Sequence, residues 1–331
     1  MAFSDFWRLG WDCARQAWAG MKRLLFQPFE AYRWFTFGFC AWLATLTDGG
    51  CNFNLPGGGR GGRGGRAGAA AEPFQRFGHW CGEHLALVLL LALLAVGVGV
   101  GLWLLLLWLS SRGKFMFLDN VVTGEPRIGI PWREYRAEAR SLMLWRIGFT
   151  VVALFLVLAA IGIGILPLLP LIRGGGKPEP LALVMSLLPL LLLVVTAAFA
   201  LGVVASLLEA FVIPRMFALR QGCLEAWRGT LAMLRGRWSA VVAFLLAHFL
   251  LGLLAGVAIL AAVLVTCCIA GCLLALPYLG AVLLLPVTVF FRLFSLEFLK
   301  ALEPELRPAL EPAAAAVPPP EMPAPVLPAE G

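Results

Sequence analysis

The chain has 331 residues, 61% of them hydrophobic and 14% charged, with a net charge of +7; an ordinary soluble domain carries roughly 25% charged residues. A soluble globule of this length needs a polar exterior that this composition does not supply, so lipid must solvate much of the surface. The Lys and Arg surplus recurs beside apolar runs, where it orients a membrane protein and meets anionic headgroups, and that placement argues against nucleic acid as a partner.

In chain order, residues 1–30 carry Asp5, Arg8, Asp12, Arg15, Lys22 and Arg23 without the continuous apolar core of a signal peptide, so the N-terminus is expected to be retained. Trp7, Trp11, Ala14, Trp18, Met21 and Leu25 recur at alternating spacings of 4 and 3, which predicts an amphipathic helix. Its Trp and basic residues suit the lipid–water boundary. Residues 31–47 then form a short, aromatic-rich apolar stretch at the lower limit for crossing a bilayer. Residues 48–78, with the run "LPGGGRGGRGGRAGAAA" at 55–71, predict a flexible outer loop. Gly57, Gly59 and Gly62 fit G-x-G-x-x-G there, but neither the strand nor the helix that gives the motif its meaning is present.

"HWCGEH" follows, placing His79, Cys81, Glu83 and His84 together as conceivable metal ligands at a spacing that matches no strong zinc signature. A polar entry to the next span is the favoured reading, and no metal or other cofactor is expected. Cys51 and Cys81 flank the Gly/Arg loop and are candidates for a disulfide if that side is oxidising.

Residues 85–109 make the second span. The polar run "SSRGKFMFLDNVVTGEP" at 110–126 reads as an elbow on the membrane surface. Arg112 and Lys114 there act as orientation charges, Phe115, Phe117 and Leu118 sit at the headgroup boundary, and Asp119 and Asn120 turn the chain. Whether Asp119 and Asn120 face the bundle decides whether they matter functionally. Trp132, Tyr135, Ala139 and Leu142 form a second, weaker stripe, with Arg133, Glu134, Arg136, Glu138 and Arg140 on the polar face.

Spans are expected at 147–172 and 181–208. The apolar run continues to residue 213, which predicts a bend near Pro189 or a helical projection beyond the membrane. Glu209 lies close enough to Arg215 to pair with it at the interface. Leu224, Trp227, Leu231, Leu234 and Trp238 form a third stripe, with Arg228, Arg235 and Arg237 placed to contact lipid headgroups. Spans at 240–265 and 272–291 complete the set, with His248 inside the former as a neutral imidazole bonded to a neighbouring helix. Gly97 with Gly101, and Gly252 with Gly256, are spaced for close helix approach, and Pro277 and Pro286 for kinks or helix ends. Cys267, Cys268 and Cys272 read as packing residues. Residues 304–331, rich in Pro and Ala, predict a disordered cytoplasmic tail.

The expected architecture is therefore an all-α integral membrane domain over 1–303. Its six transmembrane helices form three hairpins, each preceded by a basic amphipathic interfacial helix. With the N-terminus inside, 20 of the 26 Lys and Arg fall on the inner side, which puts both termini in the cytoplasm.

"LFQPFEAYRWFTFGFCAWLA", the Gly-rich loop, "SSRGKFMFLDNVVTG" and "EAWRGTLAMLRGRW" together resemble a group of bacterial polytopic membrane proteins of unassigned activity, over about residues 5–300. More distantly the pattern is similar to the membrane domain that accompanies some glycerophosphodiester phosphodiesterases, although the chain has no room for their catalytic barrel of ~250 residues. The resemblance implies a location in the bacterial cytoplasmic membrane and no inherited catalytic residue. No nucleophile has a neighbouring base, so the expected function is non-enzymatic. Membrane lipids are the expected partners, with another membrane protein or a second copy of the chain as further ones. A transporter or permease, suggested by the threefold repetition and His248, is the alternative.

Overall fold

A computed structural model describes residues 3–27, 29–48, 84–165, 180–266 and 269–311. The regular structure of these residues is all helical, with no strand among them. The candidate Cys51–Cys81 disulfide, the conceivable ligand positions His79, Cys81 and Glu83, and the Gly/Arg loop lie outside the described residues, as do Cys267 and Cys268.

The first helices are α1 (Phe3–Phe26), α2 (Ala31–Thr45), α3 (Leu85–Thr123), α4 (Gly129–Glu134) and α5 (Arg136–Ile165). Then come α6 (Pro180–Leu207), a π-helical turn (Leu208–Val212), α7 (Ile213–Leu219), α8 (Cys223–Leu234) and α9 (Trp238–Val265). The chain closes with α10 (Ile269–Ala275), α11 (Pro277–Leu283), α12 (Leu285–Leu302), a 3₁₀ turn (Pro304–Leu306) and α13 (Arg307–Leu310).

Among the described residues, four helical stretches are long and apolar enough to cross a membrane: 85–123, 136–163, 188–219 and 238–265. Each is bare at one end and buried at the other. In α3, Leu89, Leu93, Leu94 and Val98 are exposed, whereas Leu107, Phe115, Met116 and Leu118 are buried. The buried ends join α1, α2 and α12 in a single core that includes Phe37, Phe211, Phe244, Phe294 and Phe298. Exposed Leu and Val at this density have no favourable solvent except hydrocarbon.

Two of the six expected spans take a different form. Residues 31–45 make a short helix that runs antiparallel to the buried half of α3: Arg33 donates to the Gly124 carbonyl, and Ser110 Oγ donates to the Ala44 carbonyl at 2.8 Å. Gly113 permits that approach, because a Cβ there would lie 2.6 Å from the Ala44 backbone nitrogen. Asp48, expected in the outer loop, is therefore level with Lys114. Residues 272–291 are broken into α10, α11 and α12, with Pro277 and Pro286 at the breaks as their missing N–H groups predict. Tyr278 Oη donates to the Phe35 carbonyl at 3.0 Å, so α11 lies against α2.

The stripes also divide. In α1, Ala14, Met21 and Leu25 are buried beside Cys13 and Ala17, while Trp7, Trp11 and Trp18 face outward. The third stripe is similar, with Leu234 buried and Leu224, Leu231 and Trp238 exposed. The middle stripe is core: Tyr135, Ala139 and Leu142 are buried, as is Glu138, and from Arg136 onward the stripe is part of α5. It is not a separate interfacial helix, because its apolar side already has a protein partner.

The polar elbow expected at 110–126 is also corrected. The helix runs unbroken to Thr123 and ends where Gly124 takes φ +73°, its N–H reaching the Asn120 carbonyl at 2.9 Å. Among the described residues the paired glycines do not serve close packing: a Cβ at Gly97, Gly101 or Gly256 would meet nothing within 4 Å, and one at Gly252 only Phe291. At the C-terminus the folded region extends past the expected boundary at 304, with Leu306 and Leu310 buried.

Candidate functional site

Where the bare helices enter the core, five charged side chains from five segments meet. Lys114 on α3 is 2% exposed and donates to both Asp48, just past α2, and Glu209 in the π-turn. Arg146 on α5 donates to Asp48, to Thr47 Oγ1 at 2.8 Å and to Ser110 Oγ at 3.1 Å. Arg292 on α12 reaches Glu209 twice, through Oε2 at 3.3 Å and the main-chain carbonyl at 2.9 Å. Every charge has a partner of opposite sign, which is the condition for keeping ions out of water.

Local sequence explains the Glu209 end. Pro214 has no N–H, and the Ile213 N–H reaches back five residues to the Leu208 carbonyl, making the π-turn. Neither donor reaches the Glu209 carbonyl. That orphan acceptor is what Arg292 satisfies, so a proline in the chain becomes a charge contact between helices.

The cluster forms the floor of a cavity of about 630 Å³. Its walls come from the inner ends of the bare helices, including Trp103 on α3, Phe149 on α5, Ser206 on α6 and His248 on α9. The burial of the charges is uneven. Arg146 and Arg292 are 11% and 9% exposed, but Asp48 and Glu209 are 34% and 38% exposed. The cations lie behind and the carboxylates face the opening.

The residues expected to matter are distributed as follows. Glu209 lies in the cluster and pairs with Lys114 and Arg292; Arg215 instead binds Glu303 at 2.6 and 2.7 Å. His248 lines the cavity, packed on Phe291 with ring centroids 4.8 Å apart. Its Nδ1 is buried without a hydrogen-bond partner among the described residues, in place of the bond to a neighbouring helix that was expected. Asp119 and Asn120 point inward. Asn120 donates to Cys40 Sγ and accepts the Arg127 N–H at 3.1 Å, and Asp119 accepts the Tyr135 hydroxyl at 3.3 Å. Tyr135 stacks between Phe115 and Phe217 beneath the Arg220 guanidinium, and burial together with the Asp119 charge pushes its phenol well above its ordinary range. Both side chains are structural, and neither reaches the cavity lining. Arg228, Arg235 and Arg237 are exposed, with Arg237 also donating to the Leu302 carbonyl at 3.0 Å. Among the described residues no group of His, Cys, Asp and Glu assembles a metal site.

Sequence reasoning missed Asp48, Lys114, Arg146 and Arg292. The available signal was Lys114 itself, a cation directly before the apolar run "FMFL" and one helical turn from Ser110.

A model described as "Family of unknown function (DUF7544)" matches residues 11–285. The chain belongs to DUF7544. The DUF7544 match takes in Asp48, Lys114, Arg146 and Glu209, and ends before Arg292. No curated protein and no solved structure matches the chain, so the similarity to the membrane domain of glycerophosphodiester phosphodiesterases is not supported.

Proposed function

We propose that this DUF7544 protein is a non-enzymatic, multi-pass protein of the bacterial cytoplasmic membrane that holds anionic lipid on two interfacial helices, α1 and α8. The observation that carries this reading is the divided face of α1. Small residues seat it on the protein, while Trp7, Trp11 and Trp18 face outward, with Arg15 over the Trp11 ring at 5.8 Å and Lys22 over the Trp18 ring at 5.2 Å. An aromatic face carrying cations at its rim suits the headgroup layer. On α8 and the turn after it, exposed Leu224, Leu231 and Trp238 stand beside Arg228, Arg235 and Arg237. A non-enzymatic role is supported by the serines near the cluster: Ser110, Ser111 and Ser295 each donate to a main-chain carbonyl, so none of these three is a nucleophile paired with a base.

In the topology we propose, both termini are cytoplasmic and the four long helices cross the membrane. The uneven distribution of Lys and Arg supports it. The test is lipid retention on purified protein. Arg228→Glu, Arg235→Glu and Arg237→Glu together should lower copurifying phosphatidylglycerol several-fold, and unchanged retention rejects the reading.

The cavity favours one second reading, a permease, since ionisable groups beside a membrane cavity mark many transport pathways. A sealed-vesicle flux assay across ion gradients separates the two, because a lipid-holding protein moves nothing above protein-free background.

A further inference from the structure

We propose that the cavity above Lys114 binds the protonated amine of an aminophospholipid headgroup. The proposal rests on the reading of this chain as a lipid-facing membrane protein, and it concerns a different site from the interfacial helices.

The groups that face the opening all suit a donor-bearing cation. Asp48 and Glu209 present carboxylate oxygens at 34% and 38% exposure, whereas Lys114, Arg146 and Arg292 lie behind them at 2%, 11% and 9%. Thr288 and Ser295, also in the lining, have already given their hydroxyl protons to carbonyls of their own helix and keep only acceptor capacity. Trp103, Phe149 and Phe291 line the same cavity, and aromatic rings beside the carboxylates suit a cation. A primary ammonium has three N–H donors and would span both carboxylates from the open side, as Lys114 does from the closed side. The carboxylates would then lie nearest the ligand charge, with the cations one residue layer further back.

The lipid source follows from the walls. Trp103, Phe149 and Ser206 stand on helices whose continuations are bare apolar surface, so a headgroup in the cavity leaves its acyl chains against Leu and Val. The headgroup phosphate would bring a negative charge to a cluster that holds three cations and two carboxylates.

The probes are phosphatidylethanolamine, phosphatidylcholine, phosphatidylglycerol and free ethanolamine, each added to delipidated full-length protein in detergent, with the thermal midpoint read by tryptophan fluorescence. Phosphatidylethanolamine should raise the midpoint at a concentration at least tenfold lower than any other probe. Phosphatidylcholine has the same charge but no ammonium N–H, so equal potency overturns the donor argument. Equal potency of phosphatidylglycerol makes this an anion site and overturns the proposal; equal potency of free ethanolamine overturns the lipid source. Glu209→Gln should abolish the phosphatidylethanolamine shift, but it also disturbs the ion pairs. Ser206→Trp therefore fills the cavity without touching a charge, and it too should abolish the shift while the lipid-free midpoint stays near wild type. A shift that survives Ser206→Trp places the lipid elsewhere and rejects the site. Phosphatidylglycerol retention on the Arg228, Arg235 and Arg237 variant tests the interfacial helices separately, so either idea can fail without the other.

Discussion

The two halves of α3 are one continuous helix with opposite solvents. From Leu85 to Leu105 it presents Leu and Val outward, and a Cβ added at Gly97, Gly99 or Gly101 would meet nothing within 4 Å among the described residues. From Leu107 to Val122 it is mostly buried, holding Ser110, Ser111, Lys114 and Asn120 at 2% exposure or less. Apolar residues are thus outside and polar residues inside, the reverse of a soluble domain. Lipid solvates the first half without specific contacts, while each polar group of the second half needs a named partner, so substitutions should be tolerated in one and costly in the other.

The largest expected contrast is at Lys114. Lys114→Met leaves Asp48 with Arg146 and Glu209 with Arg292, so neither carboxylate is stranded, and the loss should fall below that of an uncompensated buried charge, at about 2–3 kcal/mol for the charge-assisted hydrogen bonds removed. Leu93→Ala in the bare half should change stability by about 0.5 kcal/mol or less, since detergent or lipid covers the site in any state. Denaturant titration in detergent compares them, and a Lys114→Met midpoint equal to wild type would show that the buried cluster contributes nothing to stability.

Next is a matched pair of glycines. Gly113→Ala puts a methyl group 2.6 to 2.9 Å from the Ala44 nitrogen and the Leu43 carbonyl carbon and Cβ, and most of that contact is backbone that cannot yield without moving α2. A cost of about 1–3 kcal/mol is expected. Gly101→Ala meets nothing and should slightly stabilise its helix by intrinsic propensity, by roughly 0.5–1 kcal/mol. Opposite signs from one substitution in one helix would define the boundary between the halves, and equal effects would erase it.

The enclosed region also predicts an alkaline limit. Cys13 and Cys223 are buried thiols outside the long apolar helices, and each is pushed up from 9.0 to about 12, chiefly by burial, with Glu297 and Asp12 adding to the rise at Cys13. The folded-state value is raised, so the contribution is complete below pH 9 and is lost as pH climbs toward 12. At pH 10.5 the unfolded chain would gain about 2 kcal/mol per thiol by deprotonation. The Cys13→Ala, Cys223→Ala double variant should therefore lose less stability between pH 9 and 11 than wild type. Parallel pH curves would show that these thiols do not set the limit.

The bare half was readable from residues 85–109 because a bilayer imposes length and apolarity and little else. The enclosed half was not readable, for two physical reasons. Asp48, Lys114, Arg146, Glu209 and Arg292 are brought together by tertiary packing, with no fixed spacing to mark them, and a charge count treats Lys114 and Arg146 as surface orientation charges whether or not they are paired. The α1 stripe lay between these cases: its period was legible in Trp7, Trp11, Ala14 and Trp18, but only the partner helix decides that Ala14 turns in and the tryptophans turn out. The same ambiguity misled the reading of Tyr135, Ala139 and Leu142, where an identical spacing serves the core.

A further substitution, with a modest expected effect on stability, is the one most specific to how the enclosed half is built. Pro214→Ala restores an N–H and removes a helix breaker, so the π-turn loses its local cause and can tighten toward an α-helix. Removing the proline favours stability, and losing the Arg292 contact with the Glu209 carbonyl opposes it, so a net change of about 1 kcal/mol is expected. The geometry should change more than the stability. Taking one residue out of the bulge turns Glu209 by roughly 100° about its helix, away from Lys114. A double-mutant cycle between Glu209→Gln and Lys114→Met, run in wild-type and Pro214→Ala backgrounds, reads this directly. Coupling of about 1 kcal/mol or more in the first should fall below about 0.5 kcal/mol in the second. Coupling that survives would mean that the core holds Glu209 in place without the bulge, and the proline would then be incidental to the site.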